Sequence, residues 1–171
     1  MKAKTRKLVC AVVCLTVAPL FFGSATAEGP AKDPIYGIGS SMLVPAPPPE
    51  GVMMQFSGWV DLLVRGEVVN TELLVNLYSS TENPAHVQHA LASHMMTFPD
   101  GSTITTEDME VVKPTNVPGI YKVNAEMQVI SGTGRYEGVS GHLTAHGTVD
   151  FSGLPAISFE LRGAISAPAE E

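Results

Sequence analysis

The strongest constraint on what this chain can fold into is a two-residue rhythm that recurs in successive runs. Near residues 120–131, Tyr121, Val123, Ala125, Met127 and Val129 alternate with Lys122, Asn124, Glu126 and Gln128. Near 140–151, Leu143, Ala145, Val149 and Phe151 alternate with His142, Thr144, His146, Thr148 and Asp150. Near 156–166, Ile157, Phe159, Leu161 and Ile165 alternate with Ser158, Glu160 and Arg162. Successive side chains of a β-strand point to opposite faces, so each run offers one face to a core and the other to water.

Earlier runs rich in Val, Leu, Thr and Met fall at 52–64, 67–79, 86–98 and 102–113, punctuated by Gly, Pro, Asn and Asp. Short runs at such even spacing are an all-β signature. Pro99-Asp100-Gly101 and Asn116-Val117-Pro118-Gly119 carry tight-turn chemistry, so consecutive hairpins are expected. Residues 28–51 contain Pro30, Pro34, Pro45, Pro47, Pro48 and Pro49. Proline has no N–H to give to a ladder, so this stretch reads as an extended arm, with room for a short strand at 35–44. Closing a meander of about eight strands removes its exposed edges. The predicted fold is therefore all-β, a small antiparallel up-and-down β-barrel occupying 52–171, with a two-sheet sandwich as the alternative.

The amino terminus predicts export. Lys2, Lys4, Arg6 and Lys7 precede an apolar stretch at 8–22 and the small-residue site Ala25-Thr26-Ala27, which is the order of a secretory signal peptide. The apolar stretch is broken by Pro19 and falls short of the roughly 20 residues of a stable spanning helix. Cleavage after Ala27 would remove both cysteines, Cys10 and Cys14, and with them any disulfide or thiolate chemistry. It would also remove those basic residues while all 17 acidic ones stay, making the formal charge of −7 still more negative. Such a surface repels phosphate backbones and anionic lipids. No nucleic-acid partner and no stable membrane insertion are expected, and the predicted location is periplasmic or secreted.

The segment Gly132-Thr133-Gly134-Arg135-Tyr136-Glu137-Gly138 closes one run and opens the next. With Phe98-Pro99-Asp100-Gly101-Ser102-Thr103-Ile104 upstream and Phe159-Glu160-Leu161-Arg162-Gly163 near the end, it resembles the corresponding parts of the allene oxide cyclase and dirigent barrels. The resemblance implies an eight-stranded barrel with an apolar cavity, often trimeric, that holds or steers the cyclisation, coupling or isomerisation of a hydrophobic small molecule. It assigns no catalytic residue here. Read on their own, these glycines permit the backbone angles of a bulged turn, and Tyr136 is expected to plug one barrel end.

Candidate chemistry is sparse. His94 shares an otherwise apolar face with Ala92, Met96 and Phe98, where it would be a polar group in a greasy interior, able to orient a ligand or move a proton. Glu72 shares a face with Asn70, Asn76 and Tyr78; if that face looks inward, burial would raise the Glu72 pKa and suit it to acid–base work. Glu72 and His94 are thus the catalytic candidates, with Glu126 behind them, and Asn76, Tyr78 and Tyr121 are the ligand-binding candidates. His142 and His146 lie on one strand face, about 13 Å apart at 3.3 Å per residue, too far for one ion without His89 or His94 from a neighbouring strand. No metal site and no cofactor are expected, and no nucleophile elbow, zincin helix or Walker loop is present.

Three functions fit: a barrel that binds a hydrophobic small molecule and isomerises, cyclises or cleaves it without a cofactor; a non-catalytic lipocalin-like carrier; or a structural assembly module. A group that titrates inside the cavity favours the first, and a wholly apolar lining the second. A homo-oligomer, dimer or trimer, is compatible with each.

Overall fold

The computed structural model of the protein describes residues 32–166. It contains β1 (Lys32–Leu43), β2 (Met54–Val64), β3 (Glu67–Glu82), β4 (Gln88–Thr97), β5 (Thr103–Pro114), β6 (Ile120–Thr133), β7 (Gly141–Asp150) and β8 (Ala156–Ser166), with one 3-10 turn at Gly134–Tyr136. Each strand pairs antiparallel with the next, and β1 also pairs with β8, from Lys32 opposite Ser166 to Met42 opposite Ala156. The result is a closed barrel, so the sandwich alternative is excluded. Its closing strand comes from the proline-rich stretch, where an eighth strand had room to form. Pro34 stands one residue outside the β1–β2 register, where its missing N–H costs no bond with β2. The predicted export segment, 1–27, lies outside the described residues.

The alternation read at β6, β7 and β8 sorts those strands as expected. Val123, Ala125, Met127 and Val129 face inward, as do Leu143, Ala145, Phe159, Leu161 and Ile165. They meet Val60, Leu62, Leu73, Val75 and Ile104 from the other side of the ring. Burial of each larger apolar side chain stabilises the fold by roughly 1.5–3 kcal/mol.

The two ends of the barrel differ. At one end the 3-10 turn lays Tyr136 across the interior, its ring centroid 4.4 Å from that of Phe98. The Arg135 guanidinium caps both rings at 4.8 and 5.0 Å, and its Nε lies 3.3 Å from Asp100 Oδ2. Tyr136 thus closes this end, as its place in the glycine-rich turn suggested. At the other end run the connections 44–53, 83–87, 115–119 and 151–155, around a cavity lined in part by Phe56 and Phe151.

Tight closure depends on residues without side chains. A Cβ on Gly58 would stand 1.9 Å from the Ser40 carbonyl oxygen of β1, a backbone atom that cannot step aside. Gly39 leaves the space that the Phe159 ring fills, since a Cβ there would be 2.5 Å from that ring. Gly58→Ala is therefore expected to destabilise the barrel by about 1–3 kcal/mol, lowering the melting temperature by roughly 2–4 °C per kcal/mol. Gly153→Ala, where nothing lies within 4 Å, serves as the control. Equal melting temperatures for the two variants in a thermal scan would refute this account of closure.

Candidate functional site

β5 breaks the pattern of the other strands. Its inward face reads Ile104, Thr106, Asp108, Glu110 and Val112, all buried, while Met109 points out and is 59% exposed. The β4–β5 register explains how this polar run gathers with His94. The turn bonds Gly101 N–H to the Phe98 carbonyl and Phe98 N–H to the Ser102 carbonyl, fixing Met96 opposite Ile104 and His94 opposite Thr106. Directly opposed residues of an antiparallel pair share a face. Asp108, opposite Ala92, and Glu110, opposite Ala90, therefore join His94 inside.

His94 Nδ1 and Asp108 Oδ2 are hydrogen-bonded within the wall of the core. Burial works to lower the His94 pKa, but the bond to Asp108 and the negative charges of Asp108 and Glu110 outweigh it, and the net shift is upward. The imidazolium is thus held by its carboxylate partner. Glu110 is moved upward too, first by burial and then by the Asp108 charge, with the His94 charge opposing. Asp108 Oδ1, Thr106 Oγ1 and Ser41 Oγ have no hydrogen-bond partner among the described residues. A buried acceptor without a donor costs on the order of 1–3 kcal/mol, so the interior carries unused bonding capacity, on β5 at Asp108 and Thr106 and on β1 at Ser41.

Glu110 connects the cluster to the outside. Among the described residues it is the one ionisable group lining a cavity of about 50 Å³ at the open end, whose walls are apolar side chains such as Phe56, Leu77, Val123, Val149 and Ile157. Gln88 and Ser80 supply the other polar edges. Wider hollows of about 600 and 510 Å³ lie on the outer wall on either side of Trp59. They are open to solvent and hold no buried ionisable group, so the inner end is the stronger site despite its smaller volume.

The candidate residues separate by face. His94 is inside and 8% exposed. Tyr121 lies at the open end, against Val112, Val123 and Val149, with its ring edge-on to Phe151 at 5.5 Å. Glu72, Asn76 and Tyr78 are on the outer face of β3, because Thr71, Leu73, Val75 and Leu77 take the inner one. The inward Glu72 carboxyl that would have suited acid–base work is therefore not formed. Asn76 accepts from Gln55 Nε2 at 2.9 Å, and the Tyr78 hydroxyl lies 2.9 Å from that of Ser93. Glu126 and His142 are a solvent-exposed pair at 2.8 Å, and His146 is bonded to Asn124 at 2.7 Å. Among the described residues, no group of three or more His, Cys, Asp or Glu is placed to hold a metal ion, and no helix is long and apolar enough to cross a membrane.

The buried groups predict how stability varies with pH. The folded pKa of His94 lies above its ordinary 6.5, so its contribution is complete below pH 6.5 and is lost as pH rises through the folded value. The folded pKa of Glu110 lies above 4.5, so folding binds its proton more tightly and stability falls as pH rises from 4.5 through the folded value. Asp100 and Asp150, lowered from 3.8 by bonds from Ser102 and Ser152, act only at lower pH. The melting temperature is expected to fall from about pH 5 to about pH 8, and less steeply in Glu110→Gln. A wild-type curve that is level or rising across this interval would contradict the assignment.

No protein-family model and no curated protein matches this sequence. Among solved structures, the chain is similar to two pterocarpan synthase dirigent proteins. With one it shares 16% identity at a TM-score of 0.43, over 83% of this chain and 98% of the other. With the second it also shares 16% identity at a TM-score of 0.43, over 82% of this chain and 87% of the other. An identity this low transfers no residue roles, and the closed eight-strand ladder stands by itself as the fold that the dirigent-like resemblance implied.

Proposed function

We propose that this is an exported barrel that holds a hydrophobic small molecule in its open end, with Glu110 against the molecule's polar part. The observation that carries this reading is the placement of a buried carboxyl, its pKa pushed up by burial, on an otherwise apolar mouth. A wholly apolar lining would favour a passive carrier. Here Glu110, with the His94–Asp108 pair behind it, supplies a group able to take or give a proton. The class of step served by such a site is a cofactor-independent isomerisation, cyclisation or cleavage, in which the wall selects one conformer and one group moves a proton. The cavity of about 50 Å³ admits a slender group near Glu110, and the bulk of the ligand lies toward the rim.

The neutral fluorophore N-phenyl-1-naphthylamine tests the site directly. Its emission is expected to rise on titration with the protein, and Ala90→Phe, which fills the mouth, is expected to weaken binding by about tenfold or more, a change of 1.4 kcal/mol. Glu72→Gln, on the outer wall, is expected to bind as wild type. Equal binding by Ala90→Phe, with its fold checked by circular dichroism, would remove the mouth as the site.

Export rests on the order of residues 1–27, and self-association on the outer side chains of Tyr36, Ile38, Trp59 and Met95, which stand 37–50% exposed on β1, β2 and β4. Native mass spectrometry of protein from its host's exported fraction is expected to show a chain beginning at Glu28 in two or three copies. Protein found only in the cytoplasmic fraction with Met1 retained would refute export, and a monomer would refute self-association.

A further inference from the structure

We infer that the open end selects a primary amine carried on an apolar body. This rests on the reading of the mouth as a hydrophobic binding site and adds which head group it takes. The inner wall of β5 presents two carboxyl groups, Asp108 and Glu110, against His94, the one buried basic side chain among the described residues. His94 occupies one Asp108 oxygen, and the other, Oδ1, is buried and unpartnered. No Lys or Arg is among the buried described residues, while Lys113 and Lys122 at this end are exposed on the outside. The interior is therefore short of positive charge, and Glu110 brings that deficit to the floor of the mouth.

A ligand head that answers this must donate hydrogen bonds and carry positive charge. A carboxylate or phosphate head meets like charge there, and leaving a buried charge unpaired is strongly unfavourable. A hydroxyl offers one donor and no charge. An ammonium offers three donors and forms a charge-assisted bond with Glu110. A cavity of about 50 Å³ has room for about four waters at 10–15 Å³ each, enough for –CH₂–NH₃⁺. A trimethylammonium head brings the charge without an N–H donor. The apolar rim then covers the body of the molecule.

Displacement of N-phenyl-1-naphthylamine at neutral pH by four compounds sharing one octyl chain tests the inference. Octylamine is expected to compete about tenfold more strongly than octanol, octanoate more weakly than octanol, and octyltrimethylammonium no better than octanol. In Glu110→Gln, with its fold checked by circular dichroism, the octylamine-to-octanol ratio of competition strengths is expected to fall to about one. Asp108→Asn is expected to diminish the same ratio. Octanol or octanoate competing as well as octylamine would overturn the amine assignment while leaving a hydrophobic site in place. A probe that never binds wild type would overturn both readings.

Discussion

Pairing of β1 with β8 is the contact on which the rest of this structure depends. Without it, two strands would expose their unpaired N–H and C=O groups, and the inward faces would have no common interior to fill. Closure also sets a demanding local geometry. Neighbouring strands approach so closely at Gly58 and Gly39 that side chains are replaced by a carbonyl oxygen in one place and the Phe159 ring in the other. The ring therefore rests on a few positions where nothing larger than hydrogen is accommodated, and these lie on or beside the strand that joins the two ends of the sheet.

Within that ring, β5 is the exception. An inner wall carrying Thr106, Asp108 and Glu110 gives up apolar burial that Val or Leu would supply, and it leaves Asp108 Oδ1 without a donor. Replacing buried ionic groups with apolar ones of similar volume is often neutral or stabilising. Fold stability therefore does not explain their presence, and the proposed role in binding would. Of this cluster Glu110 reaches the open end, and among the described residues the end closed by Phe98 and Tyr136 presents no buried carboxyl.

The fold was legible because three strands alternate cleanly and turn residues mark the hairpins between runs. Tyr136 could be placed as a plug because glycines surround it in a turn between two strands. The site was legible in part. His94 announced itself as one polar residue on an apolar face. Asp108 and Glu110 did not, since both faces of the run 102–113 mix polar and apolar side chains and neither looks like an inside. Carrying the face of His94 through the Pro99-Asp100-Gly101 turn would have found them, because the turn fixes which residues stand opposite. Glu72 was drawn to the interior by its polar companions, although Thr71, Leu73, Val75 and Leu77 formed the better apolar set on the other face. Closure of β1 onto β8 joins segments too distant in sequence for any local pattern to reveal.

The plug at Tyr136 has a mechanical consequence for whatever the barrel holds. A tube sealed at one end is a socket, and traffic through it is last in, first out. Under the proposed binding mode the polar head would arrive leading and depart trailing, with the apolar tail nearest the rim. Any acceptor of such a ligand would take hold of the tail first, and would have to dock on the same rim through which loading occurred. Loading and unloading would then compete for one surface.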